Sequence, residues 1–184
     1  MTIQKIDSSE HLALYVTHHI QKLASRKHGL IHIGISGGRS AAYIIEGLVS
    51  LPLELLSRLE LYLVDERLEA ERNVDTLLEA GLQEAFSNNS IRKRQLHIPA
   101  VGEPLSHTMF DAVYVSAGED GHFASLFPGS FANQSKEQTI LVEDSPKMPK
   151  KRVSLSFEGF TELAAKADII LLFFGEGKRQ ALSR

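Results

Sequence analysis

A histidine in a glycine-rich turn can take a proton from water, because an unperturbed imidazole titrates near neutral pH. The run Gly118-Glu119-Asp120-Gly121-His122 supplies such a histidine, with a carboxylate two residues before it. Asp120 can orient the ring or stabilise the imidazolium, and the glycines leave backbone N–H groups free for a developing oxyanion. The plain alternative is a loop histidine that caps a helix beginning at Ala124-Ser125-Leu126-Phe127. The other seven of the eight histidines have no comparable surroundings. His18 and His19 are adjacent on a helical pattern, so they do not face one site.

Several cationic and glycine-rich runs could hold an anion. In Ser36-Gly37-Gly38-Arg39-Ser40 the glycines let backbone N–H groups approach an oxyanion, and a following helix adds its dipole. Arg39 and the hydroxyls can add direct contacts. The same run also reads as a tight turn with Ser40 as helix cap. It matches neither G-x-G-x-x-G nor the P-loop, so it does not indicate a nucleotide cofactor. In Asp65-Glu66-Arg67, Arg67 can pair bidentately with a phosphate or carboxylate, and Asp65 can accept from hydroxyls. A surface charge cluster is the competing reading. Lys147, Lys150, Lys151 and Arg152 lie in a proline-punctuated segment that could aim Lys147 and Arg152 at an anion. Gly175-Glu176-Gly177-Lys178 offers a further cation, Lys178, at a helix start.

Composition narrows the chemistry. Cysteine is absent, which excludes disulfides, thiolate metal sites and a thiol nucleophile. No third ligand stands at metal-binding spacing from His122 and Asp120, and neither H-E-x-x-H nor G-x-S-x-G occurs. A net charge of −3, from 20 basic and 23 acidic residues, gives no bulk attraction to nucleic acid or to an anionic membrane. The N-terminal MTIQKIDSSE lacks the apolar core of a secretory signal, and the longest apolar run, Ile169 to Phe174, is too short for a bilayer span. These features predict a cytoplasmic protein.

The elements that must position these groups read as follows. A length of 184 residues, 43% hydrophobic, predicts a single domain over residues 1–184. Asp7 with Glu10 predicts a capping box before a helix carrying Leu12, Val16, Ile20 and Leu23 on one face. Strands are predicted at 30–35, 59–64, 96–98, 111–117, 139–143, 152–157 and 168–174, and helices after residue 40, over 74–86, near 158–166 and at the end. This alternation predicts an α/β fold, Rossmann-like, with a mostly parallel sheet flanked by helices. Ligands of such sheets bind beyond the carboxyl ends of the strands, where SGGRS, DER, GEDGH and GEGK all fall. An unpaired sheet edge would invite a homodimer.

The segment GEDGHFASLFPG at 118–129 is similar to the D-G-H-x-A-S-L-F-P-G signature of the 6-phosphogluconolactonases. ISGG (35–38), VDER (64–67), DSPKMPKKRVSLS (144–156) and GEGK (175–178) follow the family's expected order. The resemblance implies hydrolysis of a small sugar phosphate, 6-phospho-D-glucono-1,5-lactone, without metal or cofactor. It implies that His122, accompanied by Asp120, is the base that activates water. It places Gly37 and Gly38 in an anion-binding loop, and Arg67, Lys147, Arg152 and Lys178 on the substrate. Arg39 and Ala41 depart from the Ser or Thr and the proline usual in that loop, and the Ser-Asn pair usual after DER is replaced by LEAERNVDTLLEA. Two other readings stay open: a sugar-phosphate-binding relative without catalysis, and the related glucosamine-6-phosphate deaminase.

Overall fold

Five strands, β1 (Ile31–Ile35), β2 (Leu59–Leu63), β4 (Leu96–His97), β5 (Ala112–Ser116) and β8 (Asp168–Leu172), form one sheet in the order β4-β2-β1-β5-β8. Every pairing in it is parallel. The structure, a computed structural model, describes residues 8–129 and 134–173. The expected end of the strand at residue 174, the GEGK turn with Lys178, and the final helix lie outside them.

All five residues of β1 are buried, as expected of a central parallel strand covered on both faces. Ile31, Ile33 and Ile35 pack on one side against Leu12, Val16 and Ile20 of α1 (Ser9–Arg26) and Ile44, Ile45 and Leu48 of α2 (Ala41–Val49). The other side holds a second cluster built on Tyr62, Val64, Phe110, Val113 and Val115. Fully burying one such side chain contributes about 1.5–3 kcal/mol. The apolar spacing that predicted these helices is therefore the spacing that packs them.

A second sheet departs from the expected single one. β3 (Asp65–Arg67), β7 (Arg152–Leu155) and β6 (Thr139–Val142) form an antiparallel sheet in the order β3-β7-β6. The chain crosses between the sheets at Val64. Its N–H donates to Ile35 O of β1 at 2.9 Å, and its carbonyl accepts from Leu155 N of β7 at 2.8 Å. The Asp-Glu-Arg run is thus the first strand of the second sheet, not merely the end of β2. Periodicity marks these short segments as strands but says nothing of which sheet each joins.

Three helical expectations change in detail. α1 is capped by Ser8, whose hydroxyl accepts from His11 N at 3.2 Å, one residue later than the expected cap Asp7, which lies outside the described residues. The helix expected over 74–86 is broken into α4 (Asn73–Leu77), a π-turn (Leu78–Leu82) and α5 (Gln83–Ser87). Gly81 takes φ 128° at the break, a conformation disfavoured for other residues. Leu77, Leu82 and Ala85 remain buried across the break, so the apolar pattern concealed it. A one-turn helix, α3 (Leu53–Leu56), was not expected, and α6 spans Phe157–Leu163. Residues 98–111 carry no helix, in keeping with the short passage between β4 and β5.

Candidate active site

Because β1, β2 and β5 run parallel, the loops after them open on one rim. There the SGGRS turn, the start of β3 and the GEDGH turn meet. His122 Nδ1 lies 2.5 Å from Asp120 Oδ1. An ionised carboxylate only accepts, so Nδ1 bears the proton and Nε2 carries the lone pair. Burial lowers the His122 pKa below the ordinary imidazole value, with Lys147 and Arg152 adding to it, against the raising pull of Asp120. The ring is therefore neutral, with a basic nitrogen, at neutral pH. Asp120 feels a raising desolvation, but the hydrogen bond and charge of His122, with Lys147, hold it down at about 2.

The turn itself is built around that pair. A Cβ at Gly118 would lie 2.2 Å from His122 Cε1 and Nδ1 and 2.6 Å from Asp120 Oδ1, so only glycine fits. Gly118 N donates to His122 O at 2.6 Å, and Gly121 N donates to Gly118 O at 3.1 Å. The N–H groups of these two glycines, expected as free oxyanion donors, are thus taken up in closing the turn. The expectation that His122 caps a helix also fails, since no helix follows at 124–127.

Two cationic side chains, Lys147 and Arg152, act on the imidazole, and Arg67 stands next to Arg152. Lys147 Nζ stands 3.4 Å from Asp120 Oδ1 and 3.5 Å from His122 Nδ1. Since Nδ1 bears its proton, the lysine pairs with the carboxylate. Arg152 is 5% exposed, and it donates to the carbonyls of Pro149 (3.0 Å), Lys147 (3.1 Å) and Met148 (3.2 Å), which ties the proline-rich loop to the site. Arg67 is its direct partner across β3 and β7. Arg67 Nη1 donates to Glu71 O at 2.7 Å, while its buried Nε has no hydrogen-bond partner among the described residues. Lys150 and Lys151 are exposed, as a solvated loop requires.

Asp65 joins the second loop to the first. It is 4% exposed, and its Oδ2 accepts from Ser125 Oγ at 3.0 Å, while the Gly37 backbone N–H lies near enough to favour the ionised carboxylate. Oδ1 has no partner among the described residues. Burial raises the Asp65 pKa, opposed by Ser125, Arg152, Gly37 and Arg67. Glu66, 2% exposed, accepts from Arg67 N, Asn73 N and Val74 N at 2.6–2.9 Å and so fastens the start of α4. The acidic pair is therefore buried and committed, not a surface charge cluster.

The SGGRS turn is packed more closely than its sequence suggests. A Cβ at Gly37 would lie 2.0 Å from Asn73 Oδ1, so the glycine lets the turn sit on Asn73. Ser40 is buried, and its hydroxyl meets that of Ser116, while the side chain makes no helix-cap bond. Gly38 and Arg39 are exposed at the rim, and Arg39 makes no hydrogen bond or ion pair among the described residues.

Sequence reasoning missed Asn73, Ser116, Ser125 and Phe127. Ser125 and Phe127 stood inside the signature without an assigned role. Phe127 stacks on His122 with ring centroids 4.4 Å apart. Asn73 Nδ2 donates to Asp65 O at 2.9 Å, so an asparagine does serve the stretch after DER. Two other histidines hold buried tyrosines: His19 reaches the Tyr114 hydroxyl at 2.6 Å, and His32 that of Tyr62 at 2.9 Å. Among the described residues no group of three histidine or acidic side chains could hold a metal ion.

The chain is similar to known proteins in sequence and in fold. The family described as glucosamine-6-phosphate isomerases/6-phosphogluconolactonase matches residues 4–184. The chain is 33% identical over 122 residues to 6-phosphogluconolactonase 3, chloroplastic, of Arabidopsis thaliana, covering 66% of this chain and 34% of that one. It is 31% identical over 169 residues to the 6-phosphogluconolactonase of Borreliella burgdorferi, covering 82% of this chain and 70% of the relative. The chain thus spans about a third of the length of the plant relative. The crystal structure of 6-phosphogluconolactonase from Leishmania guyanensis superposes with a TM-score of 0.78 at 19% identity, over 99% of this chain and 84% of that one, and so shares the fold. With the family match running over nearly its whole length, this chain belongs to the glucosamine-6-phosphate isomerase/6-phosphogluconolactonase family.

Proposed function

We propose that this chain hydrolyses 6-phospho-D-glucono-1,5-lactone to 6-phosphogluconate, the step of the pentose phosphate pathway that opens the lactone ring. The observation that carries the reading is the His122 imidazole, hydrogen-bonded to Asp120, with Lys147 at 3.5 Å and the Arg152 guanidinium on the ring that stacks against it. His122 Nε2 takes a proton from water as the oxygen attacks the lactone carbonyl carbon. The carbonyl π electrons move onto oxygen, giving a tetrahedral oxyanion. When the carbonyl re-forms, the bond to the ring oxygen breaks, and the imidazolium returns the proton to that oxygen. The new carboxylic acid then releases its proton to solvent, giving 6-phosphogluconate, and the histidine is regenerated.

The cationic side chains hold the phosphate of the substrate, with Arg67 and Arg152 as the paired grip and Lys178 as a further contact. Binding energy from this remote group orients the carbonyl against the water. Gly37, Gly38, Arg39 and Ser40 line the loop nearest the sugar, and Asp65 supports that loop. The chain works as a single sugar-phosphate-binding unit in the cytoplasm; no described helix is long and apolar enough to cross a membrane.

The test is lactone opening followed through 6-phosphogluconate formation, against the spontaneous rate and with His122→Ala alongside. The expected loss in the variant is about 10²–10⁴ in rate, the usual contribution of a general base. Parent turnover no faster than the spontaneous reaction, with phosphate still bound, would make the chain a binding relative.

A further inference from the structure

Phe127 is 4% exposed and lies in the segment that follows the catalytic turn. Its ring stacks on the His122 imidazole at 4.4 Å between centroids and 28° between planes. The Arg152 guanidinium carbon stands over the same ring, 5.7 Å from its centroid. One rigid side chain therefore touches the base and the buried cation. Arg152 in turn holds the carbonyls of Lys147, Met148 and Pro149, so the ring also bears on the loop that presents Lys147.

The geometry points to Phe127 as a positioning residue, a rigid spacer that fixes the imidazole of His122 relative to the guanidinium of Arg152. This rests on the lactone-hydrolysis reading, in which His122 serves the carbonyl and Arg152 the phosphate. The ring then sets the distance between the reacting carbon and the phosphate grip, and so the length of sugar phosphate accepted. It touches no reacting atom. Aromatic stacking and a cation over a ring each favour one arrangement beyond simple burial. A flexible side chain of similar volume fills the space without fixing either neighbour. The stacked ring also covers one face of the His122 imidazole.

The test uses the full chain with Phe127→Leu, Phe127→Met and Phe127→Tyr, each checked for folding by its thermal transition. Three readouts are taken: the His122 titration by NMR, inorganic phosphate binding, and lactone turnover. Leu and Met variants are expected to titrate at higher pH and bind phosphate more weakly. They are also expected to lose about tenfold to a hundredfold in kcat/KM, the scale of an ångström misplacement, with kcat and KM both changed. Tyr keeps the ring and is expected to follow the parent. Folded Leu or Met variants that match the parent in titration and phosphate binding overturn the assignment, as does a Tyr variant as impaired as they are. A parent that binds phosphate but does not turn over lactone sinks the hydrolysis reading alone, because titration and phosphate binding still decide the role of Phe127.

Discussion

Arg67 and Arg152 stand directly opposite each other across the antiparallel strands β3 and β7. Like charges in facing positions repel, and here burial removes much of the water that would screen them. Asp65, whose own burial favours its neutral form, and the exposed Glu71 carboxylate 3.4 Å from Arg67 Nη1 compensate only in part. An anion between the guanidinium groups relieves the repulsion and offers acceptors to Arg67 Nε, which has no partner among the described residues. Inorganic phosphate is therefore expected to raise the thermal midpoint, adding about 1.4 kcal/mol at ten times its Kd. Arg67→Gln removes one cation and should lose most of that gain. Equal gains in parent and variant would take the arginine pair out of the anion site.

The imidazole carries a pH signature of known sign. Burial holds the His122 pKa below its ordinary value, so the unfolded chain binds the extra proton first as pH falls. Stability from this group is complete above about pH 6.5 and declines as pH drops from there toward the folded pKa. Urea unfolding across that range should show the slope in the parent and a flatter profile in His122→Gln. With His122 as the proposed base, the acid limb of kcat/KM is expected to follow the same folded pKa. Lys147→Gln removes a lowering charge, so its acid limb should move to higher pH; an unmoved limb would detach the lysine from the base.

Much of this was legible in the sequence because the sheet is simple. Isoleucines at alternate positions of Ile31–Ile35, between helical patterns, read as a buried strand, and parallel order then brings such strand ends to one rim. His122 and Asp120 were legible because they sit two residues apart in one turn. The second sheet was not, since no local pattern says that Asp65–Arg67 leaves β2 to pair with Arg152–Ser154. Asn73 and Phe127 escaped for the same reason. Their roles lie in contacts with Gly37, Asp65, His122 and Arg152, which tertiary packing creates and periodicity does not record.

Asp120 fixes which nitrogen of His122 bears the proton. It stays ionised down to about pH 2, so it holds that tautomer throughout the working range. Asp120→Asn can present either an acceptor or a donor to Nδ1, and the wrong choice puts the proton on Nε2, where it blocks base catalysis. A fall in kcat of about 10²–10⁴ is expected, with KM little changed because the proposed phosphate grip lies at other residues. Steady-state kinetics at neutral pH measure the split. A variant altered mainly in KM would show that Asp120 serves binding instead.

Two glycines of one turn should fail in opposite ways when changed to alanine. At Gly118 the added Cβ meets His122 at 2.2 Å and Asp120 at 2.6 Å, so the pair must separate to admit it. At Gly121 the Cβ meets nothing within 4 Å, but φ is +86°, a conformation that costs an L-residue roughly 1–2 kcal/mol. Gly118→Ala should therefore lose kcat about as severely as Asp120→Asn, while its thermal midpoint drops little, since the half-exposed turn can yield outward. Gly121→Ala should lower the midpoint more than Gly118→Ala does and lose less kcat. The comparison needs both measurements on both variants. If Gly118→Ala retained kcat, the imidazole and carboxylate would not need their hydrogen bond, and the base assigned to His122 would have to act without its orienting partner.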